Sequence, residues 1–98
     1  MINPDRPKGF PMIHLNGTSA ETLAHQYDEA YAALIEAQEK LAETAPNQRD
    51  YYPLADEEWQ AALAAHAARM DAIQRVLDEL SELASYCWLN SPPPIKKL

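Results

Sequence analysis

Apolar residues recur at alternating three- and four-residue steps along two long stretches of the chain. The first stretch contains Tyr27, Ala30, Leu34, Ala37 and Leu41, and Leu23 and Tyr31 widen its stripe. This period puts the apolar residues on one face of an α-helix. Thr18 and Glu21 have the spacing of a capping box, and Leu15 with Leu23 forms a predicted hydrophobic staple. We therefore predict a first helix over 18–44.

The second stretch keeps the helical spacing for longer. Asp56 is its predicted N-cap, and Glu57 and Glu58 put negative charge at the positive end of the helix dipole. Val76, Leu83 and Trp88 broaden the apolar face beyond a narrow stripe. The spaced positions themselves are Trp59, Leu63, His66, Met70, Ile73, Leu77, Leu80, Ala84 and Cys87. We predict a second helix over 56–88.

The prolines lie outside both predicted helices, as their missing N–H requires. The chain thus divides into an extended arm (1–17), a helical hairpin (18–89, with a loop at 45–55) and a proline-rich tail (90–98). The expected fold is all-α, a long antiparallel hairpin. Because the second helix has more apolar surface than one partner helix covers, we expect a homo-oligomeric helical bundle. An alternative cover is the arm, through Phe10, Met12, Ile13 and Leu15.

Composition narrows the classes of function. The net charge of −7 disfavours general nucleic-acid binding, since the phosphate backbone repels an acidic protein. Cys87 is the only cysteine, so an internal disulfide is impossible and a reducing cytoplasm is the expected location. No apolar run reaches the ~18 residues of a membrane span, so no membrane partner is expected.

The helices contain no convincing catalytic or metal-binding pattern. Their closely spaced carboxylates are predicted to lie on the outer faces, where they do not converge on a metal: Glu36, Glu39, Glu79 and Glu82. His66 is interpreted as a hydrogen-bonded core histidine, and Cys87 as a small buried hydrophobe. We expect no catalytic residues, no metal, no cofactor and no enzymatic activity.

Two polar junctions are richer than simple connectors. His14, Asn16, Thr18 and Ser19 precede a helix N-terminus, where free N–H groups favour anions. The central loop contains Arg49, suited to phosphate or carboxylate, and Tyr51 and Tyr52, whose rings can stack on a base. These seven residues are the predicted ligand-binding set. In the alternative interpretation Ser and Thr only cap the helix, the tyrosines close the apolar seam, and Arg49 pairs with Asp50 or Glu43.

The sequences His14–Ser19 (HLNGTS) and Asn47–Pro53 (NQRDYYP) resemble motifs of small bacteriophage and prophage proteins. The resemblance spans roughly residues 9–85. It implies a phage accessory protein that acts against host defence in the host cytoplasm. One hypothesis is an oligomeric sponge that sequesters a small anionic, nucleotide-like signal without catalysis; both junctions form one site only if another subunit brings them together. The other is an inhibitor or adaptor that docks its acidic surface on a host defence protein.

Overall fold

The chain is described here by a computed structural model, which covers residues 6–92. Within that range it forms two long α-helices, α1 (Ala20–Ala42) and α2 (Asp56–Leu89), with a short 3₁₀ turn, Gln48–Asp50, between them and no strand. The predicted all-α class is confirmed. Residues 1–5 of the predicted arm and 93–98 of the predicted tail lie outside the described residues. In the described part, no helix has the length and apolarity needed to cross a membrane.

The N-terminus of α1 differs from the predicted capping box by one residue. Ser19, not Thr18, is the capping residue: its Oγ accepts the N–H of Thr22 at 3.1 Å, and its hydroxyl donates to Thr22 Oγ1 at 2.8 Å. The Ser19–Thr22 pair satisfies the helix end one residue later than Thr18 and Glu21 would. Leu15 is 97% exposed, so the predicted staple with Leu23 is also wrong.

The inward face of α1 contains five of the seven predicted positions, Leu23, Tyr27, Tyr31, Leu34 and Leu41, and is rotated from the prediction at the other two. Ala30 and Ala37 are exposed, whereas Ile35 and Gln38 are half-buried. The larger side chains explain the rotation, because an isoleucine removes more apolar area from water than an alanine does. The buried or half-buried residues of α1 are Ala20, Leu23, Ala24, Tyr27, Tyr31, Leu34, Ile35, Gln38 and Leu41.

The inward face of α2 follows the prediction closely. Leu77, Ala84 and Cys87 are buried, and of the other predicted positions only Leu63 is exposed; those half-buried are Trp59, His66, Met70, Ile73 and Leu80. Asp56 is already helical, so its predicted role as N-cap is wrong. The first turn is closed instead by the backbone of Ala55, whose carbonyl accepts the N–H of Glu58 at 3.0 Å.

The helices divide into two compact units. The first comprises Met1–Tyr31 and Glu79–Leu98, described over 6–31 and 79–92. In it the indole N–H of Trp88 donates to the carboxylate of Asp28 at 2.8 Å, and the ring of His25 meets Trp88 edge-on at a centroid distance of 4.9 Å. A hydrogen bond between two side chains sixty positions apart ties the start of α1 to the end of α2.

The described part of the arm packs in this first unit. Phe10 meets Tyr86 edge-on at 5.2 Å between ring centroids, and the Tyr86 hydroxyl donates to the carbonyl of Pro11 at 3.0 Å. Met12 and Leu15 remain exposed. The arm therefore covers the hairpin through Phe10 and Pro11, which is only part of the predicted cover.

The second unit is Ala32–Asp78. Gln38 donates from Nε2 to Gln74 Oε1 at 2.9 Å, and Gln74 donates from Nε2 to Asp78 Oδ1 at 3.0 Å. The first of these bonds joins the two helices across the loop, so the chain folds back on itself and the predicted hairpin is confirmed. The Gln38–Gln74 bond lies at the exposed edge of the apolar seam.

His66 differs from its predicted role in this second unit. The residue is half-buried on the inward face of α2, as its spacing predicted. Its buried Nδ1 atom, however, has no hydrogen-bond partner among residues 6–92, so the predicted hydrogen-bonded core histidine is wrong for that atom. A buried nitrogen without a partner lowers stability relative to a satisfied one.

Leu77→Ala tests the seam. Leu77 is 1% exposed, so its truncation should leave a cavity and reduce the free energy of unfolding by ~2–5 kcal/mol in a denaturant titration. Glu79→Ala is the control on the exposed face and should change it by about 0.5 kcal/mol or less. Equal losses in the two variants would contradict the assigned inward face of α2.

Candidate functional site

The central loop is a series of hydrogen-bonded turns. Asn47 begins it in an extended conformation, and its Oδ1 accepts the N–H of Arg49 at 3.1 Å. The N–H of Tyr51 then donates to the carbonyl of Gln48 at 3.0 Å, and the N–H of Leu54 donates to the carbonyl of Tyr51 at 2.8 Å. Since these bonds use backbone groups and the Asn47 side chain, the side chains of Arg49 and both tyrosines stay available for other contacts.

A cleft of about 490 Å³ opens beside this loop. It contains the three predicted loop residues, Arg49, Tyr51 and Tyr52, together with Gln48, Leu54, Asp56 and Trp59. A volume of this size lies within the range of pockets that hold small molecules, roughly 300–1,000 Å³. The structure thus brings the loop residues of the predicted set together around one concave surface.

The aromatic residues of the cleft differ in how far their rings are packed against the protein. The ring of Tyr51 is half-buried and packs against Trp59, with 5.7 Å between centroids and 50° between planes. Tyr52 is 81% exposed, and Leu54 beside it is exposed as well. Tyr51 and Trp59 therefore form a fixed wall, whereas the Tyr52 ring presents its surface to solvent or to a bound group.

Arg49 has no carboxylate partner among the residues that the structure describes. The two ion pairs within residues 6–92 are Lys40 with Glu43 at 3.3 Å and, when the histidine is protonated, His25 with Glu21 at 3.9 Å. The alternative pairing of Arg49 with Asp50 or Glu43 is therefore absent, and Glu43 lies against Lys40 instead. The exposed guanidinium at the cleft keeps its five N–H donors for water or a ligand.

The four predicted residues of the N-terminal junction belong to the first unit, and the three loop residues belong to the second. The His14 carbonyl accepts the N–H of Gly17 at 3.1 Å, and a Cβ at Gly17 would lie 2.7 Å from His14 Nε2. The exposed imidazole of His14 thus lies over Gly17 and would have to move if a larger residue stood there. Thr18 and Asn16 are exposed, while the Ser19 hydroxyl is used in capping.

Four residues of the cleft were not in the predicted set. The spacing of Trp59 predicts a position in the helical seam, and the residue type of Asp56 predicts a helix cap. Neither pattern indicates that the side chain also lines a cleft. Gln48 and Leu54 carry no signal of their own in the sequence. The adjacent tyrosines were the best sequence indication of a cleft, because two aromatic rings are unusual in a polar loop.

Metal and nucleophile chemistry find little support in the described residues. Glu36, Glu39, Glu79 and Glu82 are exposed, and residues 6–92 contain no group of three or more His, Cys, Asp or Glu side chains that could hold a metal ion. Cys87 is fully buried, and this burial raises the pKa of its thiol above the usual value. The thiolate needed for nucleophilic attack is disfavoured there.

Comparison of the chain with models of protein families, with curated proteins and with solved structures finds no match. The residues and the geometry described above are therefore the basis for the proposals that follow.

Alanine substitutions of the two tyrosines should differ in their effect on stability, because Tyr51 is packed and Tyr52 is exposed. Tyr51→Ala should lower the free energy of unfolding by ~0.5–1.5 kcal/mol or more, because it removes the aromatic pair with Trp59 as well as buried area. Tyr52→Ala should change it by about 0.5 kcal/mol or less, since the ring is largely solvated. Chemical denaturation followed by circular dichroism measures both, and a large loss in Tyr52→Ala would show that its ring is part of the packing.

Proposed function

We propose that the protein is a binding module that sequesters a small anionic, nucleotide-like ligand in the loop cleft without catalysing its breakdown. The observation that carries the proposal is the composition of the cleft, in which an arginine that makes no ion pair with any of residues 6–92 lies beside three aromatic side chains, Tyr51, Tyr52 and Trp59. A nucleotide needs both kinds of group, one for its phosphate and one for its base.

Arg49 is the proposed contact for the negative charge. A guanidinium matches the geometry of a phosphate with parallel N–H donors, and charge-assisted hydrogen bonds of this kind are stronger than neutral ones. No competing ion pair with a described residue has to be broken before the ligand binds. That absence favours a binding role over a purely structural one for this side chain.

Tyr52 is the proposed stacking residue. Its ring is the most exposed aromatic surface in the cleft, and Tyr51 and Trp59 support the wall next to it. Stacking of a base on an aromatic ring contributes ~1–3 kcal/mol per base in proteins that bind single strands. A ligand that stacks on Tyr52 would also cover Leu54, which is exposed in the free protein.

A homo-oligomer is part of the proposal. Leu63, Val76 and Trp88 on α2 each expose about two fifths of their surface. The hairpin therefore leaves part of the apolar surface of α2 uncovered. Packing of a second copy would remove this area from water. In this proposal His14, Asn16, Thr18 and Ser19 of one copy contribute to the loop site of another.

The biological setting follows from the motif resemblance. A cytoplasmic phage protein that captures a nucleotide signal would suppress a host defence pathway by mass action, and such an anti-defence role needs no catalytic residue. The two motifs supply this part of the proposal, whereas the cleft supplies the ligand chemistry.

One observation favours a second candidate function, inhibition of a host protein through a direct interface. Tyr52 and Leu54 are exposed beside the carboxylates of Asp56, Glu57 and Glu58 at the start of α2. An apolar and aromatic centre with a charged rim is the usual anatomy of a protein interface. The same loop would then dock on a basic surface of the partner.

Arg49→Ala is the direct test of the binding proposal. The melting temperature should stay nearly constant, because an exposed surface arginine contributes ~0–1 kcal/mol. The stabilisation of wild-type protein by a panel of nucleotides and cyclic nucleotides in a thermal-shift assay should be lost. Arg75→Ala, an exposed arginine on α2 outside the cleft, is the matched control and should retain it.

The outcomes separate the two candidate functions. Nucleotide binding that Arg49→Ala abolishes and Arg75→Ala retains supports sequestration. Failure of every nucleotide to stabilise the wild-type protein, together with Arg49-dependent capture of a host protein, supports the interface. If Arg49→Ala melts far below wild type, the loop is a structural clasp and neither role is needed to explain it.

Sedimentation measures the proposed association. We expect a species larger than the 11.0 kDa monomer at micromolar concentration. Val76→Glu, which puts a charge on the exposed apolar surface of α2, should shift the distribution toward monomer, while Glu79→Gln should leave it unchanged. A wild-type monomer at these concentrations would contradict the oligomer and any site shared between subunits.

A further inference from the structure

The cleft contains an acceptor as well as a cation. Asp56 lines it together with Gln48, and within residues 6–92 the Asp56 carboxylate makes no hydrogen bond and no ion pair. An ionised carboxylate only accepts hydrogen bonds, whereas a carboxamide both donates and accepts. A ligand seated in the cleft must therefore face an acceptor that the free protein leaves to water.

From this arrangement we propose that Asp56 is a specificity-determining residue, which selects ligands whose aromatic ring carries an exocyclic amino group. The inference rests on the proposed function and narrows its ligand class to amino-bearing bases with a small negative charge. A ring without such donors would cover the carboxylate and leave it desolvated without a partner, which costs more than the missing hydrogen bond alone.

The charges around the cleft support the second half of the proposal. Among residues 6–92, Arg49 is the one cation that lines the cleft. Four exposed carboxylates lie within nine positions of it in the sequence, those of Asp50, Asp56, Glu57 and Glu58. The last three also occupy the first turn of α2, where they meet the positive end of the helix dipole. One guanidinium matches one phosphate, while a longer phosphate chain would meet repulsion from the carboxylates.

In this proposal the edge of a base that stacks on Tyr52, with its phosphate at Arg49, contacts the Asp56 carboxylate. A carboxylate accepts readily from the amino groups of nucleobases. The Gln48 carboxamide and the Tyr51 hydroxyl, which also line the cleft, both donate and accept, so they discriminate less between bases with and without an amino group. Leu54 has no polar side-chain atom, and the Trp59 indole only donates.

The test measures dissociation constants by calorimetry for two pairs of probes that differ in one amino group. These are guanosine against inosine 5′-monophosphate, and adenosine against purine riboside 5′-monophosphate. In wild-type protein at least one amino-bearing probe should bind about tenfold or more tightly than its partner, the effect of one hydrogen bond to a charged group. Its triphosphate should bind more weakly than the monophosphate at low salt.

Asp56→Asn and Glu57→Gln form a matched set. Each removes one negative charge from the first turn of α2, but only Asp56 lines the cleft. Asp56→Asn should reduce the preference for the amino-bearing probe to within about twofold, because the carboxamide also offers a donor. Glu57→Gln should strengthen the binding of both members of a pair by the same factor and leave their ratio unchanged.

The results distinguish this inference from the function on which it rests. Binding that depends on Arg49 but is equal within each pair of probes, in wild type and in Asp56→Asn, overturns the inference and keeps the function. Equal loss of the preference in Asp56→Asn and Glu57→Gln also overturns it, since the effect would then be one of charge alone. Absence of binding by all four monophosphates overturns the inference, and only the absence of binding by the whole panel of nucleotides and cyclic nucleotides overturns the function as well.

Discussion

The structure depends on the burial of one narrow apolar stripe along each helix. Among residues 6–92 the buried residues are few, namely Ala20, Ala24, Leu77, Ala84 and Cys87, and three of these are alanines. Small side chains let two helices approach closely, but each contributes little transfer free energy. The larger residues of the seam are only half-buried, so a single truncation such as that of Leu77 removes a large share of what stabilises the hairpin.

Polar contacts between the helices accompany the narrow apolar stripe. Trp88 bonds to Asp28 in the first unit, and Gln38 bonds to Gln74 in the second. Both hydrogen bonds are exposed to solvent, where a net contribution is modest because water competes for the same groups. They add direction to the pairing of the helices, while the apolar stripe supplies the burial.

The cleft beside the loop results from the same geometry that closes the hairpin. A series of turns from Asn47 to Leu54 satisfies the backbone through local hydrogen bonds. The side chains are then free to gather around the start of α2, where Tyr51 packs on Trp59 and Asp56 joins the lining of the cleft. Arg49, Tyr52 and Asp56 thus provide a cation, a ring face and an acceptor on one concave surface, which is the basis of both proposals.

The sequence by itself determined the two helices, the hairpin and most of the inward face of α2, because these follow from the period of the apolar residues and the positions of the prolines. It also indicated Arg49, Tyr51 and Tyr52 as candidate site residues, since such residues are unusual in a simple turn, and all three line the cleft. The sequence did not determine the N-terminal caps of the two helices. Thr18, Ser19 and Asp56 all have side chains that suit a helix start, and only the path of the backbone selects among them.

The tertiary structure alone decided which residues share a surface. The rotation of α1 toward Ile35 and Gln38 depends on the side chains that α2 presents, and the predicted stripe through Ala30 and Ala37 could not include them. The addition of Trp59 and Asp56 to the cleft depends on how the loop folds back onto α2. Sequence periodicity reports one helix face at a time, whereas a site formed by a loop and a helix end exists only after the backbone has turned.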